Sequence, residues 1–206
     1  MTRPPVYVVF AGVNGAGKST FYHSGAWGDG SMPRSMLRVN PDEILREEGL
    51  DWRSRSAQVE AGRQALALVD DAFSHGRSLN QETTLAGRLA LKQLARARDL
   101  GYRVVLYYIG VSGADVAQRR IANRVGLGGH DIDSAVVQRR FQASLANLSR
   151  AISLCDEVFL YDNSVAFKLI ALWKNDLIRW WGVTPQQGGW FLEALHDEEA
   201  WRRGID

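Results

Sequence analysis

The sequence predicts an α/β fold in which helices cover both faces of a parallel sheet. Short apolar segments typical of buried strands alternate with longer segments whose apolar residues recur at helical spacing. The first of these strands leads directly into a glycine-rich loop, and a helix can begin immediately after that loop. The chain has 206 residues, of which 46% are hydrophobic, and this is sufficient for the core of one domain of this class.

Five strands are expected, and each is a short run rich in apolar residues. They occupy residues 6–11, 37–40, 78–83, 102–109 and 157–161. The fourth is the clearest candidate for a central strand. Since the carboxyl ends of parallel strands meet at one edge of a sheet, that edge is where a ligand is expected to bind.

Helices are expected between these strands. Asn40 is a suitable cap for the second helix, which has Pro41 at its first position and Asp42 in its first turn. Gly76 and Gly101 directly follow segments with helical spacing and are natural helix ends. The predicted helices begin at Ser19 and Pro41 and otherwise cover residues 54–75, 85–100, 114–125 and 133–154.

The C-terminal segment, residues 165–206, contains five of the seven tryptophans. We expect this segment to pack on the rest of the domain, and the alternative is a surface for a partner or a substrate. No stretch has the composition of a linker, so residues 1–206 are interpreted as a single domain. A final helix is predicted, with one face formed by Trp190, Ala194, Leu195 and Trp201.

Composition argues against several classes of protein. No apolar run approaches the roughly 18 residues of a membrane span, and the first residues lack the apolar segment of a signal peptide. A cytoplasmic protein without a membrane partner is therefore expected. The single cysteine, Cys155, rules out an intrachain disulfide. The net charge of +2 is too small to indicate nucleic acid, but the arginines between residues 119 and 140 indicate a local anionic ligand.

The glycine-rich loop matches the phosphate-binding motif G-x-x-x-x-G-K-[ST] from Gly12 to Ser19 without a mismatch. Its glycines let backbone N–H groups point at phosphate oxygens, Lys18 places a cation on the outer phosphates, and the Ser19 hydroxyl is a ligand for Mg²⁺. The motif predicts the sheet of a P-loop NTPase or kinase. The residues expected to bind the nucleotide are Gly12, Asn14, Gly15, Ala16, Gly17, Lys18, Ser19 and Thr20.

Two carboxylates are expected beside this loop, because Asp42 follows the second strand and Glu82 ends the third. Asp42 can accept the proton of an acceptor hydroxyl during attack on the γ-phosphate, or it can be a first-turn residue that only interacts with the helix dipole. Glu82 can orient the acceptor or hold a water on Mg²⁺, or be a plain strand-end residue. Switch and motor NTPases usually have a metal-binding Asp where this chain has Glu82, so transfer to an acceptor is favoured over hydrolysis.

Arginines are expected to form a lid over the transferred phosphate. Arg120 and Arg124 are four residues apart and share a helical face, and the glycine loop at residues 126–129 can act as a hinge. A smaller role is expected for Arg139 and Arg140 on the next helix. The alternative is a solvated basic helix without a ligand.

Six segments together resemble the zeta toxin family of P-loop kinases, in its short branch. They occur in the family's order and extend over about residues 6–164. They are residues 12–20, 39–42, 82–87, 101–104, 120–131 and 161–164. One departure is Asp133, at a position where short members often have proline.

The resemblance implies a kinase that depends on ATP and Mg²⁺. Better-known members phosphorylate the 3′-hydroxyl of the sugar in UDP-N-acetylglucosamine, so a nucleotide sugar is the acceptor that the resemblance favours. A protein antitoxin is a partner that the family allows and that this sequence does not itself imply. The residues that match the family's site are Lys18 in the phosphate loop, Ser19 as metal ligand, Asp42 as catalytic base, Glu82 as acceptor-site acid, and Arg120 and Arg124 in the lid.

Two other functions remain open from the sequence. One is a kinase of another metabolite, such as a dinucleotide, on the same scaffold. The other is a regulatory module that binds ATP without turnover and uses the tryptophan-rich segment for a partner. Asp42 and the two lid arginines count against this module, because binding alone needs neither. Nucleic acid is a weaker candidate, since the arginines lack the interleaved aromatic residues of a single-strand groove.

Overall fold

The computed structural model describes residues 3–27, 35–125 and 132–194. Within these ranges, the elements follow the predicted order up to the fifth strand. The strands are β1 (Val6–Ala11), β2 (Leu37–Val39), β3 (Leu79–Thr83), β4 (Arg103–Gly110), β5 (Glu157–Asp162), β6 (Lys168–Lys174) and β7 (Leu177–Trp181). The helices are α1 (Lys18–Ser24), α2 (Pro41–Glu47), α3 (Arg55–Ser74), α4 (Arg88–Asp99), α5 (Ala114–Val125), α6 (Ser134–Ile152) and α7 (Gly189–Ala194).

These seven strands form one sheet in the order β2-β3-β1-β4-β5-β6-β7. The five strands predicted from the sequence pair in parallel, which confirms the predicted α/β class. The remaining two, β6 and β7, extend the sheet beyond β5 in antiparallel orientation, so the sheet is mixed. The middle position belongs to β4, as its apolar sequence predicts.

Helices cover both faces of the sheet, and the alternation of side chains along β1 shows how. Tyr7 and Val9 pack on one face in a buried cluster with residues of α3, α4 and α7. Val8 and Phe10 pack on the other face with residues of α1 and α5. Because both faces are buried, these strands are almost continuous apolar runs, which is the pattern that predicted them.

One helix begins later than the sequence predicts. Helical spacing places its start at residue 85, but α4 begins at Arg88 after its cap, Gly87. Leu85 has a φ of 57°, in the left-handed region, and its side chain is fully buried. Its N–H donates a hydrogen bond to Thr83 Oγ1, and its carbonyl accepts one from Asn147 on α6. Leu85 therefore anchors the turn after β3, and its apolar side chain belongs to the core instead of to a helix face.

The C-terminal segment contains a β-hairpin that the sequence analysis did not predict. The residues between β6 and β7 are Asn175 and Asp176, with φ angles of 51° and 60°, as a tight hairpin turn requires. Trp173 of β6 packs edge to face against Phe191 of α7 in the same buried cluster as one face of β1. The predicted face of the final helix includes residues 195 and 201, which lie outside the described residues, so that part stays a prediction.

Helix α7 is seated on the end of β4. Trp190 is buried, and its ring lies so close to Gly110 that a Cβ atom there would be 2.0 Å from Cη2 of the ring. The ring also stacks on Tyr108, with 6.0 Å between the ring centroids. Gly110 is thus required by this close approach and not by its backbone angles.

The carboxyl ends of the parallel strands meet at one edge of the sheet, as expected. There β1 leads into the glycine-rich loop, β2 into Asn40 and α2, β3 ends beside Glu82, and β5 leads into Asn163. This edge carries the candidate site. None of the helices in the described ranges combines the length and the apolar character needed to cross a membrane.

Candidate functional site

The loop between β1 and α1 is shaped by close backbone contacts. Gly12 has a φ of 136°, and a Cβ atom there would be 2.1 Å from the carbonyl oxygen of Ile109. Gly17 has a φ of 100° and caps α1 without a side-chain hydrogen bond, and a Cβ there would be 2.5 Å from Nδ2 of Asn163. Only glycine fits both positions. Since no side chain caps the helix, its first N–H groups remain for another acceptor.

Lys18 is a buried cation at the centre of the site, with 7% of its surface exposed. Its Nζ donates a hydrogen bond of 3.2 Å to the carbonyl oxygen of Val13 and lies 3.8 Å from Oε1 of Glu82. Burial lowers the pKa of Lys18, and the negative charges of Glu82 and Asp42 oppose this effect. Phosphate beside Nζ would favour the charged form of Lys18 in the same way.

Glu82 is held by residues from three elements. Its carboxylate accepts hydrogen bonds from the Ser19 hydroxyl at 3.0 and 3.1 Å. Oε2 also accepts hydrogen bonds from Asn40 at 3.0 Å and from Arg38 at 2.9 Å. The side chain is only 9% exposed. These donors and cations compensate the cost of placing a carboxylate in a nearly buried position.

Asp42 lies in the first turn of α2, and Asn40 fixes this turn. Oδ1 of Asn40 accepts a hydrogen bond of 3.0 Å from the N–H of Asp42, so Asn40 is the predicted cap. Asp42 is exposed, and its charge acts on both Lys18 and Arg140. The fold therefore brings Asp42 and the loop lysine to one place, where a carboxylate can serve a second bound molecule.

Helix α5 contributes Arg120 and Arg124 to the same region. Nη2 of Arg120 donates a hydrogen bond of 3.1 Å to the carbonyl oxygen of Ser164, which follows β5. Arg124 is exposed, and its charge acts on Lys18. The two arginines thus share a helical face toward the loop. The predicted hinge at residues 126–129 lies outside the described residues.

Arg140 on α6 lies closer to the loop than the sequence predicts. Its Nη1 donates a hydrogen bond of 2.9 Å to Oδ1 of Asn14. Burial and the charge of Arg139 lower the pKa of Arg140. By contrast, Arg139 itself is exposed, and Arg119 pairs with a carboxylate on its own helix. The arginines of the cluster are therefore not equivalent, and Arg140 belongs to the site.

Two cavities meet at these residues. The loop cavity has a volume of about 470 Å³ and extends from the glycine-rich loop to Phe167. The α3–α4 cavity has a volume of about 630 Å³ and extends between these two helices. Molecules bound in the two cavities would both lie against the loop lysine. Four residues line both cavities: Asn14, Lys18, Asp42 and Glu82.

The structure brings together most of the residues predicted to form the site. Six of the eight predicted loop residues line the loop cavity, whereas Gly12 and Ala16 are buried beneath it. The four predicted residues from outside the loop, which are Asp42, Glu82, Arg120 and Arg124, line this cavity too. The lining residues predicted from sequence are Asn14, Gly15, Gly17, Lys18, Ser19, Thr20, Asp42, Glu82, Arg120 and Arg124.

The oxygen atoms at this position are suitable for Mg²⁺, which prefers oxygen ligands and usually binds through one or two carboxylates together with substrate phosphates. The Ser19 hydroxyl and the Glu82 carboxylate supply such oxygens next to Lys18. In the part of the chain that the structure describes, no three or more His, Cys, Asp or Glu side chains are grouped to hold a metal ion. The residues present therefore fit a metal ion that arrives with phosphate.

The sequence does not identify Arg38 and Asn163 as residues of the site, and it gives Arg140 a smaller role than its contact with the loop supports. Arg38 donates to Glu82, Arg140 donates to Asn14, and Nδ2 of Asn163 donates to the carbonyl of Ala16 at 2.8 Å. The partners in these three bonds are 44, 126 and 147 residues apart in the sequence, respectively, so no local spacing could predict the contacts. The signals that the sequence does contain are the arginine cluster for Arg140 and, for Asn163, its place in the last segment of the family resemblance.

The chain is similar to known proteins both in sequence and in fold. The sequence model of the zeta toxin family matches residues 2–170. An uncharacterized protein of Haemophilus influenzae is 28% identical over 134 residues, which are 65% of this chain and 91% of that protein.

Two solved structures share the fold. One comes from the PezAT chromosomal toxin–antitoxin system of Streptococcus pneumoniae, with a TM-score of 0.58, 18% identity, and coverage of 81% of this chain and 71% of that chain. The other is the AvrRxo1-ORF1:-ORF2 crystal structure with ATP, with a TM-score of 0.59, 15% identity, and coverage of 83% of this chain and 59% of that chain. The chain thus spans about three fifths of the second relative's length.

Proposed function

Because the chain belongs to the zeta toxin family, we propose that it is a kinase that transfers the γ-phosphate of ATP to a sugar hydroxyl. The acceptor that we propose first is the 3′-hydroxyl of UDP-N-acetylglucosamine or of a related nucleotide sugar. Support for ATP as the donor comes from the phosphate-binding loop and from the shared fold with the AvrRxo1-ORF1:-ORF2 structure that contains ATP.

The observation that carries this proposal is the junction of the two cavities. A protein that only binds a nucleotide needs one cavity, but here a second cavity opens onto the same lysine and the same two carboxylates. A third cavity of about 690 Å³ also reaches Asp42, but Lys18 does not line it. The α3–α4 cavity is therefore the better place for the acceptor, because it meets the nucleotide where its outer phosphates would lie.

The residues suggest how transfer would proceed. The acceptor oxygen attacks the γ-phosphorus, the bond from that phosphorus to the bridging oxygen of ADP breaks, and the hydroxyl proton passes to Asp42. Lys18, Arg124 and Arg140 supply positive charge around the group in transfer. Ser19 and Glu82 would hold Mg²⁺, which neutralises charge on the β- and γ-phosphates.

The experiment that tests the proposal is incubation of the protein with ATP, Mg²⁺ and a pool of metabolites. Mass spectrometry should find an acceptor that gains the mass of one phosphoryl group, and UDP-N-acetylglucosamine should be tested alone as well. A phosphorylated product that forms only from a different metabolite would retain the kinase and correct the acceptor. ATP consumption without any phosphorylated acceptor would contradict the proposal.

Asp42→Asn is the matched control, because it preserves the shape of the side chain and removes the base. If Asp42 accepts the proton, turnover should fall about 10²–10⁴-fold while ATP affinity changes little. Steady-state kinetics and ATP titration separate the two quantities. Loss of ATP binding with normal turnover per bound ATP would show that Asp42 is not the base.

An antitoxin protein is the partner that we propose on the strength of the family and of the shared fold with the PezAT toxin–antitoxin system. Controlled expression of the chain in bacteria should then arrest growth, and the Asp42→Asn variant should not. Growth that is unaffected by the active protein would remove the reason to look for an antitoxin, without bearing on phosphoryl transfer itself.

A further inference from the structure

We infer that Arg38 is a positioning residue that restrains Glu82 and thereby keeps Lys18 available for the phosphates of the nucleotide. The inference rests on the proposed ATP site and adds a residue that touches neither ATP nor the acceptor cavity. Arg38 lies on β2, which β3 separates from β1 and the loop that follows it. The side chain of Arg38 is 15% exposed.

The guanidinium of Arg38 is held by residues of three neighbouring elements, α1, α2 and β3. Its guanidinium makes a two-pronged contact with Glu43, with Nε 3.1 Å from Oε2 and Nη2 2.9 Å from Oε1. Nη1 donates a hydrogen bond of 3.2 Å to Oδ1 of Asn80, and the guanidinium carbon lies 3.8 Å from the centre of the Tyr22 ring. Contacts on several sides leave the guanidinium little freedom to follow a moving partner.

The remaining contact of this guanidinium is with Glu82. Nη2 of Arg38 lies 2.9 Å from Oε2 of Glu82, whereas Nζ of Lys18 is 3.8 Å from Oε1. The shorter contact, which is a hydrogen bond, is thus with Arg38, and the longer one is with the loop lysine. Glu82 therefore directs Oε2 to Arg38, with Asn40 as a second donor to the same oxygen, and leaves Oε1 beside Lys18. The Ser19 hydroxyl lies within hydrogen-bond distance of both oxygens.

This division of the carboxylate has a chemical consequence. A full ion pair between Glu82 and Lys18 would neutralise the cation that the outer phosphates require. By holding Oε2, Arg38 opposes that pairing, and its positive charge offsets part of the negative charge of Glu82. Among the described residues, Arg38 and Lys18 are the cations paired with Glu82, so without Arg38 the carboxylate would be left to Lys18 and would compete with ATP for it.

Metal-free ATP binding, measured in EDTA, isolates this competition from the metal. Arg38→Met should weaken ATP binding on the order of tenfold, because Glu82 then pairs with Lys18. The double variant Arg38→Met/Glu82→Gln should bind ATP as tightly as Glu82→Gln alone, since the competing charge is gone. Arg38→Lys should lie between wild type and Arg38→Met, because a lysine keeps the charge but cannot reach all its partners.

Arg103→Met is the matched control. Arg103 pairs with Glu157 at 2.7 Å, and that carboxylate is 9% exposed like Glu82, but the pair lies at the opposite end of the parallel strands. This variant should lose stability in a similar way and bind ATP within about twofold of wild type. Thermal unfolding of each variant shows whether the comparison is made between folded proteins.

Rescue by Glu82→Gln supports the inference, because a merely structural defect at Arg38 would not be repaired by a change at Glu82. Arg38→Met that binds ATP like wild type overturns it, and so does a double variant that stays as weak as Arg38→Met. If Arg38→Met does not fold, Arg38→Lys with and without Glu82→Gln gives the same decision. Wild-type protein that binds no ATP even when Mg²⁺ is present would instead contradict the proposed function.

Discussion

Lys18 is the residue on which the candidate site depends most directly. It is buried, and burial lowers its pKa below the usual value for lysine. In the described part of the chain, its direct contacts are with one carboxylate oxygen at 3.8 Å and one main-chain oxygen at 3.2 Å, while Asp42 acts on it through its charge. A buried cation with so few partners is costly, and additional negative charge would reduce that cost. Binding of a nucleotide beside Lys18, as proposed, would therefore be linked to the protonation of this residue.

The linkage predicts the pH dependence of ATP binding. The pKa of Lys18 in the free protein lies below its ordinary value of 10.5, and phosphates raise it because they favour the charged form. Between the free and the bound pKa, binding takes up a proton, so ATP affinity should fall as the pH rises through that window. Calorimetry in two buffers with different ionisation enthalpies measures the proton uptake. The Lys18→Arg variant stays charged, so it should show none, and an equal uptake in both proteins would contradict the assignment to Lys18.

The free protein should show the opposite trend in its stability. An unfolded chain keeps Lys18 protonated up to about pH 10.5, whereas the folded chain releases the proton earlier. Because the unfolded state binds more protons in that window, the contribution of Lys18 to the free energy of unfolding rises with pH there.

Arg140 and Arg139 form a natural pair of variants on one helix. Arg140 bonds to the loop residue Asn14, and Arg139 is exposed. If Arg140 places charge on the transferred group, Arg140→Ala should lower turnover about 10²-fold. Arg139→Ala should lie close to wild type, and steady-state kinetics compares them. Equal and mild losses would show that the cluster acts as a general electrostatic patch.

At the scale of the elements, α7 depends on one close contact. Its residue Trp190 lies against Gly110 at the end of β4, and the indole stacks on Tyr108. The backbone of Gly110 also accepts a hydrogen bond of 2.8 Å from the N–H of Asn163, next to the loop cavity. The end of β4 therefore contacts both α7, through Trp190, and a residue that lines the loop cavity, Asn163.

Gly110→Ala should displace the indole and destabilise the protein by about 1–3 kcal/mol, because the added methyl group has no room. Trp190→Ala should cost about 3–5 kcal/mol, since it leaves a cavity in the core. The double variant should cost less than the sum of the two, because the methyl group then occupies part of the space that the indole leaves. Urea unfolding measures all three, and strict additivity would show that the two residues do not contact each other.

The elements differ in how far the sequence could predict them. Helix α5 (Ala114–Val125) has the predicted bounds, and β1 and β4 are marked by apolar runs that only a strand buried on both faces would carry. The hairpin of β6 and β7 was missed, although Asn175 and Asp176 between two apolar runs are a turn signal. The start of α4 was predicted at Leu85, three residues too early, because Leu85 is an apolar residue at helical spacing. In the structure a left-handed turn, and not a helix, places its side chain in the core.

The site follows the same division. The loop belongs to a local motif, and Asp42 and Glu82 follow or end a strand, so the sequence alone names them as candidates. The roles of Arg38 and Arg140 depend on partners that the fold brings from distant parts of the chain. Charge alone cannot distinguish Arg140 from its neighbour Arg139, because the difference lies in which side of α6 meets the loop.

At the scale of the whole molecule, the sheet does not end with the parallel strands. The C-terminal hairpin continues it beyond β5, and the buried cluster on one face includes Trp173, Trp190 and Phe191. Every residue that lines the loop cavity or the α3–α4 cavity precedes Ser164, except Phe167. The part of the chain that forms the candidate site therefore relies on a later part for its core.

A chain that ends after Ser164 keeps all the predicted site residues and should nevertheless fail to fold. It exposes the edge of β5 and removes several large buried side chains, each worth about 3–5 kcal/mol, from a domain whose total stability is typically about 5–15 kcal/mol. Circular dichroism and urea unfolding of the shortened and the full chain make the comparison. A shortened chain with a cooperative transition at the same urea concentration would show that residues 165–206 are a separate attachment.

The junction of the two cavities at Lys18 has a consequence for inhibition. Under the proposed function, a single compound that joins an adenosine phosphate to a mimic of the acceptor would bind in both cavities, because the two share Lys18 and three other lining residues. Once one half is bound, the other half is present at a high effective concentration, commonly in the millimolar range for a short flexible connection. Such a compound would bind more tightly than either half, and its best linker length would report the distance between donor and acceptor in the protein.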